Sequence, residues 1–109
     1  MVTQEQLKNL SERVYKLKGY LEIDKKLIEI SNEEEKTADP SFWNNPKEAE
    51  VLMKSLRFKK RWVDDYNKAV SLDEDLQVLF DFYKEGEVEA EEMELQYEKT
   101  VSIVEDIEF

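Results

Sequence analysis

The chain has 109 residues, of which 40% are hydrophobic and 39% charged, and its formal net charge is −11. This length corresponds to one domain, and the apolar content can form a core, which argues against a wholly disordered chain. Only two glycines and two prolines are present. Because sheet-rich domains need more turn residues than this, the composition favours helices joined by few loops.

Cysteine and histidine are both absent. Without Cys there is no disulfide, thiol nucleophile or Cys-ligated zinc site, and without His the usual general base near neutral pH is missing. No segment has the Asp/Asn alternation of a calcium loop or the glycines of a phosphate-binding loop. We therefore expect no catalytic residues, cofactor, metal ion or small-molecule ligand.

The distribution of hydrophobic and charged residues indicates where the protein is located in the cell and which classes of partner it can bind. No apolar run approaches the roughly 20 residues that cross a bilayer, and the N-terminus lacks a signal-peptide stretch, so we expect a cytoplasmic protein that does not bind membranes. The acidic balance argues against DNA and against a general affinity for nucleic acid. The charge is uneven, however: residues 1–39 carry −2, residues 40–70 carry +3 and residues 71–109 carry −12.

The first predicted helix begins at Thr3, which forms a potential capping box with Gln6. We expect its apolar face to continue to Ile28 and the helix to end between residues 32 and 36. Gly19, inside this helix, is either a tolerated glycine or a point of close helix approach. The residues of the apolar face recur at alternating spacings of three and four, as in a heptad seam: Leu7, Leu10, Val14, Leu17 and Leu21.

Both prolines lie in the segment 37–46, which is therefore the predicted connector. Asn45 is a good N-cap and Pro46 suits the first position of the next helix. We expect Phe42 and Trp43 to plug the end of the bundle and to fix the angle of the hairpin. An exposed pair that docks a partner is the alternative.

Three more helices are predicted after the connector. The second, residues 46–70, should pack antiparallel to the first, with Lys59 as a polar interruption of its seam. Ser71 and Glu74 have capping-box spacing and start a third helix that Gly86 ends, and a fourth helix begins near Val88. The expected apolar faces are Ala49, Leu52, Leu56, Val63, Tyr66 and Val70, then Leu72, Leu76, Leu79, Phe80 and Tyr83, and finally Met93, Tyr97, Val101 and Val104.

These elements predict an all-α fold. We expect an elongated antiparallel helical bundle, built on a long two-helix hairpin plus two further helices, in a single domain of residues 1–109. Because apolar residues continue to Phe109 without a stop signal, we expect the chain to be part of a longer protein.

Two clusters of charge are candidates for binding. The first has five basic residues within eight positions, and it could contact RNA phosphates or form a solvated helix face that is partly paired with acids such as those of the last helix. The second is an acidic run that is either a solvated helix start or a surface for a basic protein. The basic cluster comprises Lys54, Arg57, Lys59, Lys60 and Arg61, and the acidic run comprises Glu85, Glu87, Glu89, Glu91, Glu92 and Glu94.

Three stretches resemble a known family, the bacterial class I peptide chain release factors of type 2. Leu17–Asp24 looks like the Leu-Arg-Gly-Tyr-Leu-Asp segment near the start of that family. The connector Asp39–Pro46, followed by Ala49, is similar to its Pro-x-x-Trp-x-x-Pro-x-x-Ala stretch and favours release factor 2 over release factor 1. The ending Val104–Phe109 fits the close of the family's first domain.

The resemblance implies an N-terminal domain of a protein for translation termination at UAA and UGA codons. The family's codon-reading tripeptide and the Gly-Gly-Gln loop for peptidyl-tRNA hydrolysis lie downstream, and this chain, whose only glycines are Gly19 and Gly86, cannot contain that loop. The implied partners are the ribosome, at the GTPase-associated centre near the stalk base, and the GTPase that recycles release factors. Contact of ribosomal RNA or a partner with Lys54, Arg57, Lys60 and Arg61 rests on charge alone.

Two other classes of function stay open. A generic coiled-coil interaction module would dimerise through the Leu7–Leu21 seam. A small helical RNA-binding protein would have a salt-dependent RNA affinity that falls when Lys60 and Arg61 are changed to Glu.

Overall fold

The computed structural model describes residues 1–109 and contains helices but no strands. The all-α prediction is confirmed. Four α-helices and one short 3-10 helix follow in the order α1 (Gln4–Tyr20), α2 (Ile23–Thr37), the 3-10 helix (Pro40–Asn44), α3 (Pro46–Lys84) and α4 (Ala90–Glu108).

The 39-residue helix α3 is the axis of the molecule and contacts every other helix. At 1.5 Å per residue it is about 58 Å long. The molecule measures 61 × 23 × 18 Å and its radius of gyration is 18.8 Å, whereas a compact domain of this length has a radius of about 13 Å. The predicted elongated shape is confirmed.

The two ends of the rod differ in the number of helices. At one end α1 and α4 both pack against α3, and we call this the three-helix end. At the other end α2 packs antiparallel to the part of α3 that follows the connector, without any contact to α4, and we call this the two-helix arm. The largest fully buried side chains all lie at the three-helix end: Leu7, Leu10, Met93 and Val104.

Helix α1 follows its predicted pattern. Gln6 N–H donates to Thr3 Oγ1 at 3.2 Å and Thr3 N–H donates to Gln6 Oε1 at 2.8 Å, which confirms the capping box. The whole Leu7–Leu21 seam is buried against other helices of the same chain, so it is not available for a coiled-coil dimer. No atom lies within 4 Å of the place where a Cβ of Gly19 would be, which excludes close helix approach there.

The first helix is shorter than predicted because the chain breaks after Leu21. Glu22 has a left-handed backbone with φ of 51°, and α2 starts at the next residue. This turn shifts the register of the apolar face, so that Ile23 and Ile30 are buried whereas Ile28 is 64% exposed. The predicted continuation of the seam through Ile28 was wrong.

The connector has the predicted N-cap at Asn45, and Asp39 caps the 3-10 helix in addition. Ser41 N–H donates to Asp39 Oδ1 at 2.9 Å, and Glu48 N–H donates to Asn45 Oδ1 at 3.3 Å, one residue before α3 begins at Pro46. These bonds hold the 3-10 helix between α2 and α3, where the chain reverses direction.

The aromatic pair at this corner is less buried than expected. Trp43 is 60% exposed and Phe42 is half-buried, with their rings edge to face at 4.7 Å. The prediction that both rings plug the end of the bundle was therefore wrong for Trp43.

The predicted boundary at Ser71 is also absent, because α3 continues through it without a break. Ser71 is exposed, while Ala69, Leu76 and Phe80 extend the buried face along the helix. Packing against α1 and α4 thus outweighs the local capping signal. The helix ends before Gly86, whose φ of 82° confirms the predicted left-handed stop.

Helix α4 presents a slightly different face from the predicted one. Met93 and Val104 are buried as expected, but Thr100 and Ile107 are also buried. Thr100 satisfies its hydroxyl by donating to Gln96 O at 2.8 Å. Because buried residues recur at intervals of three and four along the helix, Ile107 belongs to the core.

Polar contacts join the helices at the three-helix end. Arg13 of α1 makes a forked contact with Glu108 of α4, with Nη2 to Oε1 at 2.6 Å and Nε to Oε2 at 3.1 Å. This contact holds the pKa of the Glu108 carboxyl below its usual value. Ser11 donates to Asp73 Oδ1 at 2.9 Å and accepts from Gln77 Nε2 at 3.0 Å, so α1 and α3 are also joined.

Candidate functional site

The structure separates the predicted basic cluster into different faces of α3. Lys59 lies on the side that packs against α2 and its side chain is only 19% exposed. Its Nζ contacts Glu29 Oε2 at 2.6 Å and Glu33 Oε1 at 2.8 Å, and Ser55 Oγ donates to the same Glu33 oxygen at 3.1 Å. Lys59 therefore joins the two helices of the arm and is not free to bind a partner.

The ion pairs of Lys59 shift the pKa values of the groups involved. The hydrogen bond from Lys59, and then its positive charge, hold the pKa of Glu29 below its ordinary value of 4.5. The two hydrogen bonds to Glu29 and Glu33 raise the pKa of Lys59 above 10.5. At neutral pH Glu29 is therefore ionised and Lys59 is protonated, and these charges favour the contact between α2 and α3.

Two other members of the cluster are exposed but paired. Lys60 Nζ lies 2.7 Å from Glu34 Oε2 on α2, and Lys54 Nζ lies 3.1 Å from Glu50 Oε1 one turn earlier on α3. The cluster is partly paired, as one interpretation expected, but its partners come from α2 and α3 and not from the last helix. Arg57, like Arg61 one turn later, is exposed and has no carboxylate oxygen within 4 Å.

A longer basic feature was missed by the sequence analysis. Lysine or arginine recurs every seven residues along α3, and each of these side chains is exposed. Because seven residues make nearly two helical turns, these four basic side chains lie along one line on the surface of α3. They face away from the buried residues Ala49, Leu56 and Val63. The line extends about 32 Å. We call it the basic stripe: Lys47, Lys54, Arg61 and Lys68.

Beside the stripe lies a shallow groove between α3 and the last turns of α4. Phe58, which is 60% exposed, packs edge to face on Trp62 with ring centroids 6.3 Å apart. Ile103 and Ile107 of α4 complete the apolar floor, and Arg61 lies at the rim. The surface thus combines aligned cations with a small apolar strip, and the carboxylates of Asp65 and Asp106 also line the groove.

The acidic run lies at the opposite end of α3 from the connector. Most of it is exposed around the turn between α3 and α4, and Glu94 contacts the N-terminal amine of Met1 at 2.7 Å. Acids in the first turn of α4 stabilise its N-terminus. No three acidic side chains converge in a way that would hold a metal ion.

None of the helices combines the length and the apolar character that crossing a membrane requires.

Comparison with known proteins finds relatives named peptide chain release factor 2. The chain is 30% identical over 93 residues to peptide chain release factor 2 of Haemophilus ducreyi, which covers 85% of this chain and 26% of that protein. It is 36% identical over 74 residues to peptide chain release factor 2 of Chloroflexus aggregans, covering 64% of this chain and 20% of that protein. It is 30% identical over 105 residues to that of an Acidovorax species, covering 94% of this chain and 29% of that protein.

The chain thus spans between a fifth and a third of the length of these curated relatives. No family model matches the chain. No solved structure is significantly similar to it. The relatives agree with the resemblance of the Leu17–Asp24 and Asp39–Pro46 stretches, and the chain is accordingly a homologue of one part of peptide chain release factor 2.

Proposed function

We propose that this chain is the N-terminal helical domain of a longer release factor, and that it serves translation termination at UAA and UGA codons in the cytoplasm. The observation that supports this most directly is the match to release factor 2 over 85% to 94% of the chain in two relatives. Codon reading and peptidyl-tRNA hydrolysis would then belong to the remainder of the longer protein.

Within that function, the chain acts as a docking arm on the ribosome. Its shape supports this role, because a rod 61 Å long exposes extended surfaces and no deep pocket. The arm would reach toward the GTPase-associated centre near the stalk base and would contact the GTPase that recycles release factors. The basic residues Lys54, Arg57, Lys60 and Arg61 are candidates for these contacts.

A chimera tests this proposal. The matched segment of Haemophilus ducreyi release factor 2 is replaced by this chain, and peptide release from ribosomes stopped at UGA is measured. We expect single-turnover release, and also multiple-turnover release with the recycling GTPase, close to that of the parent. A control chimera with an unrelated helical hairpin should keep single-turnover release but lose multiple turnover. If the two chimeras behave alike, the docking role is wrong.

The isolated 109-residue chain should fold but should not release peptide. The physical reason is that a chain with glycine only at positions 19 and 86 cannot contain a Gly-Gly-Gln loop. Helix content by circular dichroism and stop-codon-dependent release in the same preparation check this. Release by the chain alone at a UAA codon would refute the assignment of catalysis to another part of the protein.

A further inference from the structure

We propose that the basic stripe of α3 binds the phosphate backbone of an RNA duplex. That this RNA is ribosomal rests on the proposed function, whereas the binding itself rests on the geometry of α3. The stripe differs from the predicted basic cluster, because it includes Lys47 and Lys68 and omits Lys59 and Lys60, whose ammonium groups contact carboxylates of α2.

The cations of the stripe are regularly spaced. Seven residues of an α-helix advance about 10.5 Å, so the stripe presents four cations at regular intervals on a straight, rigid support. All four side chains are exposed, and Arg61 has no carboxylate oxygen within 4 Å. Lys54 pairs with Glu50, but both side chains are about two-thirds exposed, so this pair is weak and a phosphate can replace it. A regular line of cations is complementary to a linear anion with evenly spaced charges.

The stripe lies in the most basic part of the chain. Residues 40–70 carry seven basic and four acidic residues in a chain whose net charge is −11. The carboxylates of Glu29, Glu33 and Glu34 are turned to the α2 side of α3, where Lys59 and Lys60 neutralise them, so they do not cancel the stripe. The acidic turn between α3 and α4 repels RNA, whereas Asp65 of α3 and Asp106 of α4 line the groove beside Arg61 and Lys68 and partly offset the positive charge of the stripe there.

The side chains around the stripe suit an RNA duplex better than a single strand. Single-stranded RNA is usually held by several aromatic rings that stack on successive bases. Between Lys47 and Lys68 only one aromatic side chain, Phe58, is mostly exposed. The stripe therefore offers contacts to phosphates without a stacking platform, which is how duplex RNA is mainly recognised.

Two variants of equal charge test the proposal. The stripe variant carries Lys47→Gln, Lys54→Gln, Arg61→Gln and Lys68→Gln. The control variant carries Lys8→Gln, Lys16→Gln, Lys36→Gln and Lys99→Gln, which removes four exposed lysines that make no ion pair. Fluorescence anisotropy then measures binding of the 109-residue chain to a labelled RNA duplex of about 20 base pairs between about 50 and 200 mM KCl.

We expect the stripe variant to bind at least about tenfold more weakly at the lowest salt, with the control variant within about twofold of the parent. Because Glu50, Asp64 and Asp65 lie within one turn of stripe residues, we expect about three phosphate contacts, and so a salt slope shallower by about 3 in the stripe variant. A third variant with Lys47→Arg, Lys54→Arg and Lys68→Arg should bind like the parent. Circular dichroism confirms that each variant keeps its helix content.

Several results would overturn the proposal. One is the absence of binding by the parent at the lowest salt, and another is an equal loss in the stripe and control variants. Tighter binding to single-stranded RNA of the same length than to the duplex would refute the proposal that the stripe recognises duplex RNA. Tighter binding to polyglutamate would identify an acidic protein as the partner instead. These measurements do not involve termination, so they succeed or fail independently of the chimera experiment.

Discussion

Glu22 is the one residue other than glycine with a positive φ, and it lies where α1 ends and α2 begins. A left-handed backbone costs an L-residue roughly 1 to 2 kcal/mol because its Cβ crowds the carbonyl oxygen. Lys26 Nζ donates to the carbonyl of Leu21, which helps to satisfy the end of α1. The break therefore persists because it buries both Leu21 and Ile23, which one straight helix could not do.

Glu22→Gly should stabilise the chain by about 0.5 kcal/mol, because glycine adopts positive φ without the Cβ clash but loses more entropy on folding. Glu12→Gly is the control, since Glu12 is exposed inside α1 and the change should lower the free energy of unfolding by about 1 kcal/mol. Urea denaturation followed by circular dichroism measures both. A loss of stability in Glu22→Gly as large as in the control would rule out the break in solution.

Lys59 shows how one residue decides the pH dependence of the arm. The pKa of Glu29 is lowered by the ion pair, so its contribution to stability is complete above pH 4.5 and is lost as pH falls through its lower pKa in the folded chain. The pKa of Lys59 is raised, so its contribution is complete below pH 10.5 and is lost only above that. Between these limits the ion pairs stabilise the contact of α2 with α3.

Lys59→Met should destabilise the chain at pH 7, because Glu29 and Glu33 then face each other without a cation. As pH falls below 4.5 the parent loses its ion pair while the variant loses its repulsion, so the two stabilities should converge. Lys54→Met is the matched control, since its exposed pair with Glu50 should matter little at any pH. Urea denaturation at several pH values measures this. A difference that is the same at pH 7 and pH 3 would contradict it.

At the scale of elements, the sequence predicted the helical nature of the chain but not every boundary, because one predicted helix is split at Glu22 and two predicted helices form the single helix α3. The helix ends were predicted correctly where a single residue and its near neighbours in sequence determine them. These residues are the N-caps Thr3 and Asn45 and the left-handed Gly86. The break at Glu22 was missed because no Gly or Pro marks it. The false boundary at Ser71 arose because a capping-box spacing is also compatible with the interior of a helix whose apolar face continues.

Ser71→Ala should leave the stability unchanged or slightly raised, because Ser71 is exposed inside α3 and alanine is the better helix former. Asn45→Ala should cost about 1 kcal/mol, because Asn45 accepts the N–H of Glu48 at the true start of α3. Thermal and urea unfolding of the two variants compare them directly. If Ser71→Ala costs as much as Asn45→Ala, then α3 has a boundary at residue 71.

The candidate site was predicted only in part, for a related reason. A dense run of charge was visible at residues 54–61, but a helix turns neighbouring residues by 100°, so Lys59 and Arg61 point to different sides. In the basic stripe, by contrast, residues that are seven positions apart in sequence lie on the same side of the helix. A search for basic residues with a period of seven would have found it.

At the scale of the molecule, the two ends should differ in local stability. The three-helix end contains most of the fully buried side chains, whereas α2 contributes only Ile23 and Ile30 to the core. We expect amide hydrogens of residues 23–37 to exchange at least about tenfold faster than those of residues 69–84. Hydrogen exchange followed by mass spectrometry of peptides measures this. Equal protection at both ends would indicate that the whole rod opens as one cooperative unit.

The continuity of α3 has a mechanical consequence. Because one unbroken helix connects the three-helix end with the Trp43 corner, a rotation imposed at the first end reaches the second without a flexible joint along α3. Over a helix of about 58 Å, a tilt of about 10° displaces the far tip by about 10 Å. A small change of angle where this segment meets a neighbouring body would therefore sweep its corner across a distance comparable to the width of another helix.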